Sequence, residues 1–202
     1  MSQADELHRN LNMFRNYLTG AVLLLVVCGC SSLPSAPPPG ASGEPDKLKT
    51  RNNAASLLSD LLKDEQNVGK VFIIKNASPE VTDLVKLISA TAATHERELE
   101  EMATNNPSLN LSEKDLPPGE TAARDGTAKS KEHDLLFSSD ANFEFNLLFS
   151  QAQAENYGWH LAAVAAENSP KPDEARVFTT IGGTMKRLYG QVVEQMRKVP
   201  AR

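Results

Sequence analysis

Apolar and polar positions divide the chain into three stretches of different character. Residues 18–27 form a short apolar run, residues 31–50 are polar and rich in proline, and apolar residues return at regular intervals from residue 52 onward. The first run is shorter than the ~20 residues that a membrane-spanning helix needs. Its length, together with Arg9 and Arg15 before it, is typical of a secretory signal peptide.

In the third stretch, apolar side chains recur at steps of three and four residues, which indicates amphipathic helices. A first helix is predicted over residues 53–76. A second is predicted from Pro79 to about Asn105, because Ser78 suits the N-cap position and proline suits the first helical position. The apolar face of this second helix comprises Val81, Val85, Ile88, Ala92, His95, Leu99 and Met102.

The second half of this region contains two further predicted helices. Residues 106–126 form a long polar connection, in which prolines and glycines interrupt helical structure repeatedly. Helical spacing resumes near Ala128 and is interrupted at Ser138-Ser139-Asp140, which is typical of a helix start. Further helices are predicted from Asp140 to about Glu167 and from Pro172 onward. The inward face of the helix from Asp140 comprises Phe143, Leu147, Leu148, Gln151, Ala154, Gly158, Leu161 and Ala165. The pattern predicts an all-α fold, an antiparallel four-helix bundle with a long middle crossover.

The sequence Val27-Cys28-Gly29-Cys30 lies directly after the apolar run and resembles the bacterial lipobox. The resemblance implies transfer of a diacylglycerol to the Cys30 thiol, cleavage between Gly29 and Cys30, and acylation of the new amino group, typically by palmitate. Several acyl chains hold a protein firmly on a membrane, whereas one chain does so only marginally. Because Ser31 rather than aspartate follows Cys30, the resemblance also implies sorting to the outer membrane, facing the periplasm.

The proline-rich stretch contains too few large apolar residues to offset the entropy of folding. It is therefore predicted to be a semi-flexible tether. The predicted organisation is a lipoprotein signal peptide at residues 1–29, a lipidated Cys30 and tether at residues 30–50, and a helical bundle domain at residues 51–202.

The helical region also resembles, over residues 54–197, a group of secreted bacterial domains of unknown function with ferritin-like helical architecture. The resemblance rests on Ser78-Pro79-Glu80-Val81 ahead of a helix that carries His95, and on the later pattern FE..LL..QAQAENYG. It implies a ferritin-like bundle. The second histidine of those domains corresponds here either to Tyr157 or to His160, and the resemblance implies no particular activity.

Composition argues against several classes of function. The net charge is −5 and lysines and arginines form no cluster, which argues against a nucleic-acid-binding protein. Both cysteines, Cys28 and Cys30, precede the predicted domain, so that domain has no disulfide and no thiolate for catalysis or for zinc. No nucleophile lies in a recognisable catalytic motif, and no catalytic residue is predicted. An enzyme is therefore less favoured than a non-enzymatic protein.

A metal ion in the bundle core would need ligands that face inward. Ferritin-like sites for two metal ions use Glu-x-x-His on two helices, and this pattern does not occur in the chain. His95 lies on a predicted apolar face, so two interpretations stay open. It is either a buried neutral histidine with hydrogen-bond partners, or one ligand of a transition-metal site with Glu155 or His160. We expect no cofactor and keep these three residues as the candidate metal ligands.

Together these patterns predict a non-enzymatic binding or structural module that is held on the cell envelope through acylated Cys30. Its expected partners are membrane lipid and, beyond that, other envelope proteins or the cell wall, with no nucleic acid. The alternative is a metal-binding or metal-dependent redox protein with a site around His95 in the bundle core.

Overall fold

A computed structural model describes residues 43–137 and 139–199, which contain five α-helices, one 3₁₀ helix and no strand. The predicted signal peptide, Cys30 and most of the predicted tether lie outside these described residues. The elements are α1 (Glu44–Glu65), the 3₁₀ helix (Val68–Ile73), α2 (Pro79–Asn105), α3 (Pro118–Phe137), α4 (Asp140–Glu167) and α5 (Pro172–Met196). Within the described part of the chain, no helix is both long enough and apolar enough to cross a membrane.

Three of the predicted helices, α2, α4 and α5, are confirmed with the starts expected from their local sequence. Ser78 and Ser139 occupy the N-cap positions of α2 and α4. Proline opens both α2 and α5, where its missing N–H costs no hydrogen bond because the first amides of a helix have no intrahelical acceptor. The all-α prediction is therefore confirmed.

The first helix differs from its prediction at both ends. α1 begins at Glu44, inside the segment assigned to the tether, because Pro45 suits a helix start and Glu44 and Asp46 favour the positive end of the helix dipole. It ends at Glu65, well before residue 76. The 3₁₀ helix then follows, so the predicted continuous α-helix was wrong in this stretch.

The prediction of a long irregular crossover was also wrong in its second half. α3 begins at Pro118, although helical spacing was expected to resume only near Ala128. Pro118 suits a helix start, and Gly119 and Gly126 weaken the helix without ending it. None of the described side chains of α3 is fully buried, which is why the apolar pattern does not reveal where this helix begins. The described chain thus has five helices rather than four.

The other four helices enclose the core. α4 packs against α5 and α1, and α2 packs against α1 and α5, whereas α3 contacts α4. One group of buried apolar side chains includes Leu58, Leu62, Leu99, Leu161, Phe178 and Ile181. A second group includes Val81, Val85, Ile88, Phe143, Leu147 and Val192.

The apolar faces predicted for α2 and α4 are largely confirmed. On α2, every residue of the predicted face is buried except Met102, which is partly buried against the core. On α4, the whole predicted face is buried, including the polar residue Gln151 and Gly158. A Cβ at Gly158 would lie 2.6 Å from Met185 Sδ and 2.9 Å from Leu61 Cδ2, so the absence of a side chain lets α4 approach α5 and α1.

Candidate functional site

Three polar side chains from α1 and α4 meet inside the bundle. Glu65 lies at the last residue of α1, and Gln151 and Glu155 are one turn apart on α4. All three are buried, and each has one side-chain oxygen without a hydrogen-bond partner among the described residues: Glu65 Oε2, Gln151 Oε1 and Glu155 Oε2. We call these three residues the core carboxyl cluster.

Burial makes both carboxyl groups of the cluster weaker acids than an exposed glutamate side chain. The pKa of Glu65 is raised to about 7, mainly by burial and also by the charge of Asp64, and a hydrogen bond from the Gln151 amide opposes the shift. The pKa of Glu155 is raised to about 8, mainly by burial and also by the negative charge of Glu65. Two neighbouring buried carboxylates repel each other, so the cluster retains at least one proton near neutral pH.

A carboxyl group that titrates near neutral pH can hold or release a proton, which is the property that catalytic acids and bases share. In this fold, however, Glu65, Gln151 and Glu155 are enclosed by the helices and do not line an open cleft. Within residues 43–137 and 139–199, no group of three or more His, Cys, Asp or Glu residues is arranged to hold a metal ion. The arrangement supports proton retention in the core.

His95 is buried on α2, where the sequence placed it. Its Nδ1 lies 2.8 Å from Glu98 Oε2 on the same helix. Its Nε2 is buried and has no hydrogen-bond partner in the described part of the chain. The histidine therefore has one nitrogen with a partner and one buried nitrogen without a partner among the described residues.

The three candidate metal ligands do not form one group in this structure. His160 is exposed, and its ring stacks on Trp159 at a centroid distance of 4.6 Å. Glu155 instead belongs to the core carboxyl cluster. Tyr157, the other position considered for the second histidine of the resembling domains, is half-buried beneath the Arg124 guanidinium, 5.0 Å from its ring centroid.

A buried ion pair at one end of the bundle was missed by the sequence analysis. Arg51 Nη1 on α1 donates to Glu174 Oε1 on α5 at 2.9 Å, and both side chains are almost wholly buried. Arg51 also donates to Asn52 Oδ1 and to the carbonyl oxygen of Ser108. The ion pair thereby holds the loop after α2 against the beginnings of α1 and α5.

The Glu174 carboxylate of this ion pair also accepts hydrogen bonds from other side chains. Asn106 Nδ2 donates to Glu174 Oε2 at 2.6 Å, and Ser169 Oγ donates to Glu174 Oε1 at 3.0 Å. These bonds offset the desolvation of two buried charges, which is otherwise costly. Because both charged groups have hydrogen-bond partners on every side, we interpret the pair as a contact that stabilises the fold. Its partners lie 123 positions apart, and no local pattern in the sequence connects them.

No protein-family model, curated protein or solved structure matches the chain. Its function is therefore argued from its own residues and geometry. The resemblances to the lipobox and to ferritin-like domains remain predictions.

Proposed function

We propose that the chain is a cell-envelope lipoprotein, anchored through acylated Cys30, whose helical body is a non-enzymatic binding or structural module. The observation that carries this proposal is the sequence Val27-Cys28-Gly29-Cys30 directly behind a short apolar run. Such a cysteine becomes the first residue after export, and its acyl chains anchor the protein without a spanning helix. In the outer membrane of a diderm bacterium, the body would face the periplasm.

The proposed arrangement of the body is an antiparallel four-helix bundle of the ferritin-like type, formed by α1, α2, α4 and α5. The Arg51–Glu174 ion pair supports it, because it joins the beginnings of α1 and α5 at one end. The bond from Asn106 to Glu174 also supports it, since it connects the residue after α2 to the first turn of α5. α2 then returns along α1, and the connection that contains α3 leads back to α4, as a single long crossover requires.

A non-enzymatic role is supported by where the titratable groups lie. The two residues with the most strongly raised pKa values, Glu65 and Glu155, are enclosed in the core. Other buried charged groups of the described residues also have partners: Arg51 and Glu174 are bonded to each other and to the neighbouring loop, and Glu96 pairs with Lys63. In these positions the groups affect the stability of the fold.

Acylation is tested by labelling cells that express the full chain with a radioactive or alkyne-bearing palmitate. We expect the wild-type chain to be labelled and to fractionate with membranes. Cys30→Ser should abolish labelling and leave an uncleaved precursor, whereas the matched variant Cys28→Ser should be labelled like wild type. Equal labelling of Cys30→Ser and wild type would refute the proposed anchor.

The second candidate function is binding of a transition metal in the bundle core. It is favoured by the unpartnered buried atoms His95 Nε2 and Glu155 Oε2. Elemental analysis of the body from Ser31 to Arg202, purified without chelator or metal-affinity resin, tests it. Stoichiometric metal that is lost in both His95→Ala and Glu155→Gln would establish this function. Absence of metal from the wild-type body would reject it.

A further inference from the structure

The core carboxyl cluster carries three buried oxygen atoms that have no hydrogen-bond partner among the described residues: Glu65 Oε2, Gln151 Oε1 and Glu155 Oε2. The three residues are 8%, 1% and 2% exposed, so each is more than nine-tenths buried. A buried polar atom without a partner costs free energy, and the cost is larger when the group is charged. A bound ion that takes these oxygens as ligands removes that cost.

The three side chains lie next to one another where α1 packs against α4. Gln151 and Glu155 are four residues apart on α4, so they project from the same face of that helix. The Gln151 amide donates a hydrogen bond to Glu65 at the end of α1, and the charge of Glu65 acts on Glu155. Two carboxylates and one amide oxygen therefore form a single group between the two helices.

The chemistry of this group suits a hard cation. All three unpartnered atoms are oxygens, which are the ligands that magnesium and calcium ions prefer. The group contains no histidine and no cysteine, so its donors differ from those of the candidate transition-metal site around His95. The Gln151 oxygen is a cation ligand without a charge of its own, so the group is more than a pair of acids.

The charge of the group suits a divalent ion. With both carboxyl groups ionised, Glu65 and Glu155 carry two negative charges. Lys131 on α3 is a cation whose charge acts on Glu65, but its side chain is partly exposed, and the neighbouring charge that acts on Glu155 is the negative charge of Glu65. A divalent cation between the two carboxylates neutralises both and removes their mutual repulsion.

A groove beside the cluster gives an ion a route from solvent. It lies between α3 and α4, has a volume of about 520 Å³, and is lined by residues that include Lys131, Ser150 and Gln153. Ser150 immediately precedes Gln151, and Lys131 is the cation near Glu65, so the groove adjoins the cluster. Because none of the described side chains of α3 is fully buried, α3 can separate from α4 at a lower cost than a core helix can.

We propose that Glu65, Gln151 and Glu155 bind one hard divalent cation, magnesium or calcium, between α1 and α4. Water molecules supply the remaining ligands, since both ions take six or more. The ion connects the end of α1 to the middle of α4 and thereby stabilises the fold. This inference goes beyond the proposed function and does not depend on acylation of Cys30.

Thermal melting of the unlipidated body tests the inference. The body from Ser31 to Arg202 contains both core groups, and residues 41–202 form one compact unit, so it carries its own core. The protein is treated with EDTA, dialysed and melted at pH 8.5. At 10 mM, magnesium chloride or calcium chloride should raise the Tm by at least about 4 °C relative to sodium chloride of equal ionic strength. Separate titrations of the two salts by calorimetry show which ion binds, with one site per chain.

Variants of the cluster should lose this effect. In Glu65→Gln and in Glu155→Gln, which keep the size of the side chain, the shift in Tm should fall below about 1 °C. Gln151→Met keeps the length of the side chain, removes the amide oxygen and should also reduce the shift. Glu167→Gln changes an exposed glutamate on the same helix and should retain the full shift. Circular dichroism should show that each variant keeps the helix content of wild type.

Three results would overturn the inference. The first is a wild-type Tm that neither magnesium nor calcium raises above the sodium chloride control, which would leave protons as the only ions that the cluster binds. The second is a full shift in both Glu65→Gln and Glu155→Gln. The third is a shift that is lost in His95→Ala but kept in Glu65→Gln, which would assign the ion to the site around His95. Palmitate labelling of Cys30 is unaffected by any of these results.

Discussion

Glu155 and Glu65 bind their protons more tightly than glutamate side chains do in water. Both carry a buried oxygen without a partner among the described residues, and burial raises the pKa values of both. Since 1.4 kcal/mol corresponds to about one pKa unit, such shifts link proton binding to the free energy of unfolding. The core carboxyl cluster therefore predicts an unusual dependence of stability on pH.

The folded chain binds the protons of Glu65 and Glu155 more tightly than the unfolded chain, where a glutamate titrates near its ordinary pKa of 4.5. The stabilisation by these protons is complete below that unfolded value and is lost as the pH rises through the folded values, about 7 and about 8. We predict that the free energy of unfolding, measured with urea, falls between about pH 5 and pH 9.

Glu155→Gln removes one titrating group and keeps the size of the side chain. This variant should be more stable than wild type at pH 9 by at least about 1 kcal/mol, and its decline with pH should be shallower. Glu167→Gln changes an exposed glutamate on the same helix and should leave the pH dependence unchanged. Parallel pH profiles for Glu155→Gln and wild type would contradict the buried-proton account.

At the scale of elements, the Arg51–Glu174 pair connects α1, α5 and the loop after α2. Arg51→Met should lower the free energy of unfolding by about 3–5 kcal/mol, because it leaves the Glu174 carboxylate buried without its cation. Arg51→Met/Glu174→Gln should recover part of this loss. The matched control is Arg176→Met, which removes an exposed pair with Asp173 and should cost less than about 1 kcal/mol. An equal loss of unfolding free energy in Arg51→Met and Arg176→Met would contradict the stabilising role of the buried pair.

Two helical glycines test the packing between elements. A Cβ added at Gly183 on α5 would meet no neighbouring element within 4 Å, so Gly183→Ala should stabilise the protein by up to about 1 kcal/mol through helix propensity. Gly158→Ala gains the same propensity but pushes a methyl group against Met185 and Leu61. Overpacking of this kind costs about 1–3 kcal/mol, so Gly158→Ala should be destabilising. Thermal melting of the two variants measures the difference directly.

Local signals explain which elements were predictable from the sequence. Ser78 with Pro79, and Ser139 before α4, mark helix starts within a few residues, and the apolar spacing of α2 and α4 identifies their inward faces. The first half of α3 was missed because its described side chains make no buried face. The pairing of Arg51 with Glu174 could not be read from the sequence either, since it depends on contacts between distant segments.

The candidate site was predictable only in part. His95 was placed correctly on a buried face, and Gln151 on the inward face of α4. The proximity of Glu65 to Glu155 was not predicted, because the predicted first helix continued to residue 76. In the structure this helix ends at Glu65. His160 points to the surface, where its ring stacks on Trp159, and the spacing along α4 alone did not decide this.

At the scale of the whole molecule, the described body has two unlike ends. The end where α1 begins contains the bonded Arg51–Glu174 pair, and the other end carries the exposed isoleucines Ile73 and Ile74. If Cys30 is acylated, the chain before α1 connects this body to the membrane. Anchoring is therefore the central claim, since the proposed function depends on it.

The most direct test of that claim is mass spectrometry of the N-terminal tryptic peptide, residues 30–47, from protein extracted out of membranes with detergent. The account predicts that the chain begins at Cys30 and that this residue carries the added mass of a diacylglyceryl group and an amide-linked fatty acid. A peptide that begins at an unmodified residue, or that still contains residues before Cys30, would contradict it.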